Sequence, residues 1–208
     1  MTEAEERALG WEGKTNDFTV IEGDTAVLFE CKNSALFSQS KRLSSVEAIL
    51  CDVRKNIANS EDRSGLFQLY DKMEAIKSNR LPPPVADRYK GVQQFFPIVL
   101  LYDQIQHANA DRVLGNLLRS ELRRHGVEGF SFQIWHIEEV EDLLSLVPAN
   151  NFVPTVREKC WDARYRQWDL DTYLYEKTKI RHLRPFMFVP PTQTKAEEIL
   201  RSIADSEP

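Results

Sequence analysis

The sequence predicts an α/β protein: a mixed central β-sheet flanked by helices, with an aromatic and basic C-terminal extension. Three observations predict it. Two runs of strand-forming residues, DFTVI (17–21) and TAVLFECK (25–32), are joined by Glu22-Gly23-Asp24, a turn signal that makes them a β-hairpin. Two further strand-like runs follow, FFPIVLLYD (95–103) and FSFQIWHI (130–137), separated by a helical stretch. Strands that alternate with helices in this order build a layered α/β fold.

Each element has its own local reason. Residues 2–9 have the composition of one short helix, closed by Gly10 and Gly13. From Ser44 the spacing becomes helical, with Val46, Ile49, Leu50 and Val53 on one stripe and Ser44 or Ser45 as N-cap. Leu66, Leu69, Met73 and Ile76 recur at three and four residues and predict a helix over 62–78, which Pro82-Pro83-Pro84 stops. The uninterrupted apolar run at 95–103 predicts a strand buried on both faces, with its proline near the start. RVLGNLLRSELRRHG (112–126) ends in basic residues and Gly126, as a helix C-terminus requires. EEVEDLLSLV (138–147) predicts one more short helix, and Pro148 and Pro154 mark a boundary. The expected division is therefore residues 1–150 as the α/β domain and 151–208 as a helical extension, packed on it or contacting nucleic acid. Between Val156 and Arg184 stand eight Lys/Arg and five Asp/Glu, a local excess of positive charge in an acidic chain.

The composition narrows the function classes. The chain has 208 residues, 42% of them hydrophobic, and a formal net charge of -5, which suits an ordinary globular domain rather than a disordered or low-complexity one. Acidic balance argues against nonspecific coating of nucleic acid but leaves room for an enzyme with locally gathered basic residues. Three widely spaced cysteines, Cys31, Cys51 and Cys160, argue against a disulfide framework or a zinc knuckle. The polar, acidic first residues and the absence of a long apolar run give the expectation of a cytoplasmic protein without a membrane partner. The histidines at 107, 125, 136 and 182 show no metal-ligand spacing. Phosphate-loop, dinucleotide and nucleophile-elbow motifs are missing too.

The hairpin carries the chemistry. With a two-residue Gly23-Asp24 turn, or a four-residue loop, paired positions sum to 47 and Asp17 falls opposite Glu30. Lys32 then shares the face of Glu30, while Phe29 and Cys31 point the other way. Two facing carboxylates are costly unless a cation lies between them, and a Mg²⁺-type ion favours carboxylates, waters and phosphate oxygens. Asp24 is the rival first carboxylate, but its place in the turn has an ordinary backbone reason.

Asp17, followed after twelve residues by Glu30-Cys31-Lys32 on an apolar strand, resembles the D…(D/E)xK signature of the PD-(D/E)xK nuclease superfamily, with its restriction-endonuclease-like fold. The resemblance spans roughly residues 10–147, since helices, a strand, a helix and a strand follow the hairpin. Asn16 stands where the motif's name has Pro. The resemblance implies Asp17 and Glu30 as Mg²⁺ or Mn²⁺ ligands, joined by the backbone carbonyl of Cys31, and Lys32 as the residue that positions the attacking water. It also implies an acidic residue on the preceding helix, for which Glu6 and Glu12 are candidates, and a glutamine on the following helix, for which Gln68 is. Gln68 lies off the apolar stripe of its helix.

The function so implied is metal-dependent phosphodiester hydrolysis, with DNA the expected partner and RNA the alternative. A homodimer or a partner subunit is compatible with it. The competing expectation is a domain of the same fold that binds nucleic acid or protein without cutting, or that acts only within a larger assembly. In the C-terminal extension, Trp161, Arg164, Tyr165, Arg166, Trp168, Tyr173, Tyr175, Lys177, Lys179, Arg181 and Arg184 are of the types that grip phosphates and stack on bases. Aromatic residues more often pack onto their own domain.

Overall fold

The computed structural model describes residues 1–33, 46–102 and 110–180. Ser44, Ser45, Asp103, His107, Arg181, His182 and Arg184, named above, lie outside the described residues.

A capping box starts the chain. The Thr2 side chain accepts from the Glu5 backbone N–H and the Glu5 carboxylate accepts from the Thr2 N–H at 2.7 Å, which fixes helix α1 (Glu3–Ala8). Strands β1 (Phe18–Glu22) and β2 (Thr25–Lys32) follow. They pair antiparallel from Glu22↔Thr25 to Phe18↔Phe29, so every pair sums to 47, as the turn dictates. Gly23, with φ 58°, takes the left-handed conformation that the tight turn needs. Asp17 lies one residue before the ladder rather than inside the strand that the sequence predicts over 17–21.

Helix α2 (Val46–Ile57) buries Val53 and Ile57. Before helix α3 (Leu66–Lys77) comes a two-residue hairpin, β3 (Ala58–Asn59) with β4 (Ser64–Gly65), so the helix predicted over 62–78 begins later. Gly65 explains the offset. Its φ is 66° and a Cβ there would meet the Ile57 carbonyl oxygen at 2.0 Å, so the chain passes too close for any side chain and turns before the helix starts. The short helix α4 (Pro83–Ala86) and a 3₁₀ turn (Asp87–Tyr89) lead to β5 (Gln94–Leu101). Helix α5 (Ala110–Arg124), β6 (Gln133–His136) and helices α6 (Ile137–Leu146), α7 (Phe152–Trp161) and α8 (Leu170–Thr178) complete the described chain.

The main sheet has the order β1-β2-β5-β6, antiparallel in the hairpin and parallel from β2 through β5 to β6. Pro97 is tolerated in the inner strand β5 because of where its missing N–H would point. The N–H groups of Gln94 and Tyr102 donate toward the β2 side, to Asp24 and Lys32, so odd-numbered residues face β6. The β6 ladder starts only at Ile98, beyond the proline.

Both faces of the sheet are covered. On one, Ala26, Leu28, Val99 and Leu101 pack with α2, α3 and α5; on the other, Val27, Phe29, Ile98 and Leu100 pack with α6, α7 and α8. The period of two in β2 and β5 produces this division, and burial on both faces explains why both runs are so uniformly apolar. The chain is thus a mixed α/β protein with a four-stranded mixed sheet between helical layers. Residues after 151 supply part of the second layer, since Val153, Val156, Leu170, Tyr173 and Leu174 share a cluster with Phe29 and Trp135.

Candidate metal centre

The end of the hairpin opposite its turn gathers the charged residues of the motif. Glu30 is 3% exposed. Its Oε1 pairs with Lys32 Nζ at 2.8 Å, and its Oε2 is buried without a hydrogen-bond partner. Asp17 uses Oδ2 to accept the Cys31 backbone N–H at 2.5 Å. The ladder is thus continued past Phe18 by side chains: Asp17 takes the N–H that the next backbone pair would have used. A strand residue's N–H and C=O leave by the same edge, so the Cys31 carbonyl also faces the Asp17 side.

The electrostatics follow from this burial. Desolvation pushes the Glu30 carboxyl up to about 7; Lys32 opposes the rise, and Asp17 and Glu3 add to it. The Cys31 thiol is pushed up to about 11, by burial first and by its acidic neighbours second, which leaves it an inert thiol.

Gln68, on α3, donates its side-chain amide to the Thr15 carbonyl. It therefore ties α3 to the segment that leads into Asp17, two residues away. Glu6 is buried: its Oε2 accepts from Lys72 Nζ at 2.5 Å and its Oε1 from the Tyr89 hydroxyl at 2.8 Å. Glu12 is exposed in the loop after α1. The acid of α1 whose charge reaches Glu30 is instead Glu3, whose backbone N–H also donates to the Asp17 carbonyl at 3.1 Å. Sequence spacing did not single it out, because Glu3 and Glu6 stand one helical turn apart and no apolar stripe orients so short a helix. Asp24 sits at the far end of the sheet, held by Arg157 Nη2 at 2.8 Å and Gln94 Nε2 at 2.9 Å.

Among the described residues no group of three or more His, Cys, Asp and Glu side chains gathers around one point. Two carboxylates and a main-chain carbonyl remain a fitting set for a Mg²⁺-type ion, which keeps several waters and takes one or two carboxylates together with substrate phosphate. The orphaned Glu30 Oε2 is the observation that supports the fit, since a buried carboxylate oxygen without a donor is otherwise costly.

Elsewhere, the aromatic and basic segment is largely self-satisfied. Tyr165 and Tyr173 are buried, and Arg157, Arg164, Lys177 and Lys179 pair with Asp24, Glu176, Glu158 and Glu176. Trp161, 61% exposed, and Tyr175 stand out from it. A cleft of about 540 Å³ near the start of β5 is lined by Lys77, Asn79, Tyr89, Lys90 and Phe95. None of the orphaned buried polar atoms among the described residues belongs to its lining. No helix among the described residues is long and apolar enough to cross a membrane.

Comparison with protein-family models, curated proteins and solved structures finds no match to this chain.

Proposed function

We propose that the protein is a metal-dependent phosphodiesterase whose centre is Asp17, Glu30 and Lys32. More particularly, it is a DNA nuclease of the restriction-endonuclease-like, PD-(D/E)xK type, with Mg²⁺ or Mn²⁺ as cofactor. The single observation that carries this reading is the pair formed by Glu30 and Lys32 beside Asp17. One Glu30 oxygen is paired with the lysine and the other is buried and orphaned, within electrostatic reach of Asp17.

Asp17, Glu30 and the Cys31 carbonyl would hold the cation. When bound, it neutralises phosphate charge, makes a water more acidic and stabilises the leaving oxygen. The residues of the chain contribute the rest. Glu30 is kept in place by Lys32 on one oxygen and by burial. Asp17 is oriented by the Cys31 N–H. Lys32 presents a cation at the rim, its side chain 23% exposed, where it orients the nucleophilic water and offsets negative charge developing on the phosphate. Its ion pair with Glu30 holds the ammonium in one place at the rim, which suits a positioning and electrostatic role. Gln68 acts through the Thr15 carbonyl as a positioning residue.

A second reading, a domain of this fold that binds without cutting, is favoured by the limited acidic set among the described residues. Cleavage of supercoiled, linear and single-stranded DNA and of RNA, with Mg²⁺, Mn²⁺ or EDTA, separates the two. Metal-dependent cutting of DNA in preference to RNA is expected. A folded protein that retards DNA but cuts nothing with either metal contradicts the nuclease reading and favours the binding one.

A further inference from the structure

The geometry points to Asn16 as the residue that positions Asp17. This inference deepens the reading of the centre given above and rests on it for its catalytic consequence, though not for its structural one. Asn16 is fully buried, although an asparagine in a loop before a strand is ordinarily exposed. Its Nδ2 donates to the Phe18 carbonyl at 2.5 Å and lies 3.3 Å from the Phe29 carbonyl across the hairpin. One side-chain amide thus bridges both strands between Asp17 and Glu30, at the place where the backbone ladder ends.

The amide is itself fixed by a buried chain of hydrogen bonds. Lys72 and the Tyr89 hydroxyl both donate to Glu6. With its proton committed to Glu6, Tyr89 is left to accept from the Thr19 hydroxyl at 3.3 Å, and Thr19 in turn accepts from Asn16 Nδ2 at 3.1 Å. Burial pushes the Tyr89 phenol far up, which keeps it a donor. The Thr19 hydroxyl also lies 3.3 Å from Asn16 Oδ1, so it holds both ends of the amide, and the Phe18 and Phe29 carbonyls, which only accept, fix which end carries Nδ2. With Gln68 on the Thr15 carbonyl and the Glu3 N–H on the Asp17 carbonyl, the residues flanking Asp17 are clamped on both sides. Its carboxylate is thereby delivered to the Cys31 N–H. A side chain without an amide donor at position 16 removes the bridge and frees Asp17 to turn to solvent.

The test compares wild type with Asn16→Ala, with the isosteric Asn16→Asp, which has acceptors where the donors were, and with Leu143→Ala, which loosens the opposite face of the sheet. Amide hydrogen exchange by NMR reads the Cys31 N–H, Mn²⁺ binding is followed by electron paramagnetic resonance, and kcat and KM are measured on DNA. Both Asn16 variants are expected to raise Cys31 exchange at least tenfold relative to the other amides of β2. They should also weaken Mn²⁺ binding about tenfold and lower kcat about tenfold with KM within about twofold. Leu143→Ala lowers Tm without these changes. Unaltered Cys31 exchange in folded Asn16→Ala overturns the inference, as does the same change in Leu143→Ala. Loss of Cys31 protection in a protein whose wild type binds no Mn²⁺ upholds the positioning role and overturns the reading of the centre instead.

Discussion

Burying the Glu30 carboxyl beside Asp17 makes the stability of the metal-free fold depend on pH in a definite direction. With a folded value of about 7 against an ordinary 4.5, the folded state holds a proton that the unfolded state has released between those values. Stability is therefore greatest below the lower value and falls as pH rises through the upper one, by at most about 3 kcal/mol. Urea unfolding in EDTA at pH 5 and pH 8 should show this fall in wild type and its absence in Glu30→Gln; equal slopes in the two would contradict the burial of Glu30. On the proposed reading, Mg²⁺ added at pH 8 should restore part of the loss, since an ion held by the folded centre alone stabilises it. The Lys72–Glu6 pair sets a second test at the same scale. Removing one member leaves a buried charge unpaired, so Lys72→Ala should cost about 3–5 kcal/mol in chemical denaturation, and the double replacement Lys72→Met with Glu6→Gln should recover part of it. The shared face of Glu30 and Lys32 was legible in the sequence because a strand's period of two fixes it, whereas Asp17 was expected inside the paired strand and lies one residue before the ladder. Lys72 and Tyr89 were not legible, because their shared partner Glu6 lies far along the chain and nothing local marks a lysine within a helix as buried; Asn16 was not, because nothing in the sequence marks a polar residue before a strand as buried.

At the scale of elements, the hairpin, α3, β5 and α6 were readable from turn chemistry and apolar spacing, with ends displaced by a few residues. The β3–β4 pair was missed because its polar loop reads as a helix start, and only the close approach of Gly65 to the Ile57 carbonyl reveals the turn. The C-terminal segment was read by its charge and aromatic content. Its charges are mostly spent on ion pairs, and its inner aromatic residues on packing against Phe29, Ile98 and Trp135. A chain ending at residue 150 should accordingly expose the second face of the sheet. Compared with the full chain, it is expected to aggregate or to lose dispersed NMR signals for β2 and β5. A soluble truncated protein with native shifts in those strands would show the second layer to be dispensable.

The whole molecule places two carboxylates and a lysine where an antiparallel hairpin meets a parallel sheet, with helices on both faces. That arrangement gives the centre a rigid base: β2 is hydrogen-bonded on both edges, and α1 and α3 fix the segment before Asp17. The central claim is that this centre cuts DNA with a divalent cation. The most direct measurement is cleavage of plasmid DNA with Mg²⁺ or Mn²⁺ by wild type and by Glu30→Ala, with the fold of each checked by circular dichroism. The account predicts cutting by wild type that EDTA abolishes and that falls at least about a hundredfold in Glu30→Ala, as loss of a group that organises transition-state charge does. Undiminished cutting by a folded Glu30→Ala protein, or none by wild type with either metal, would contradict it.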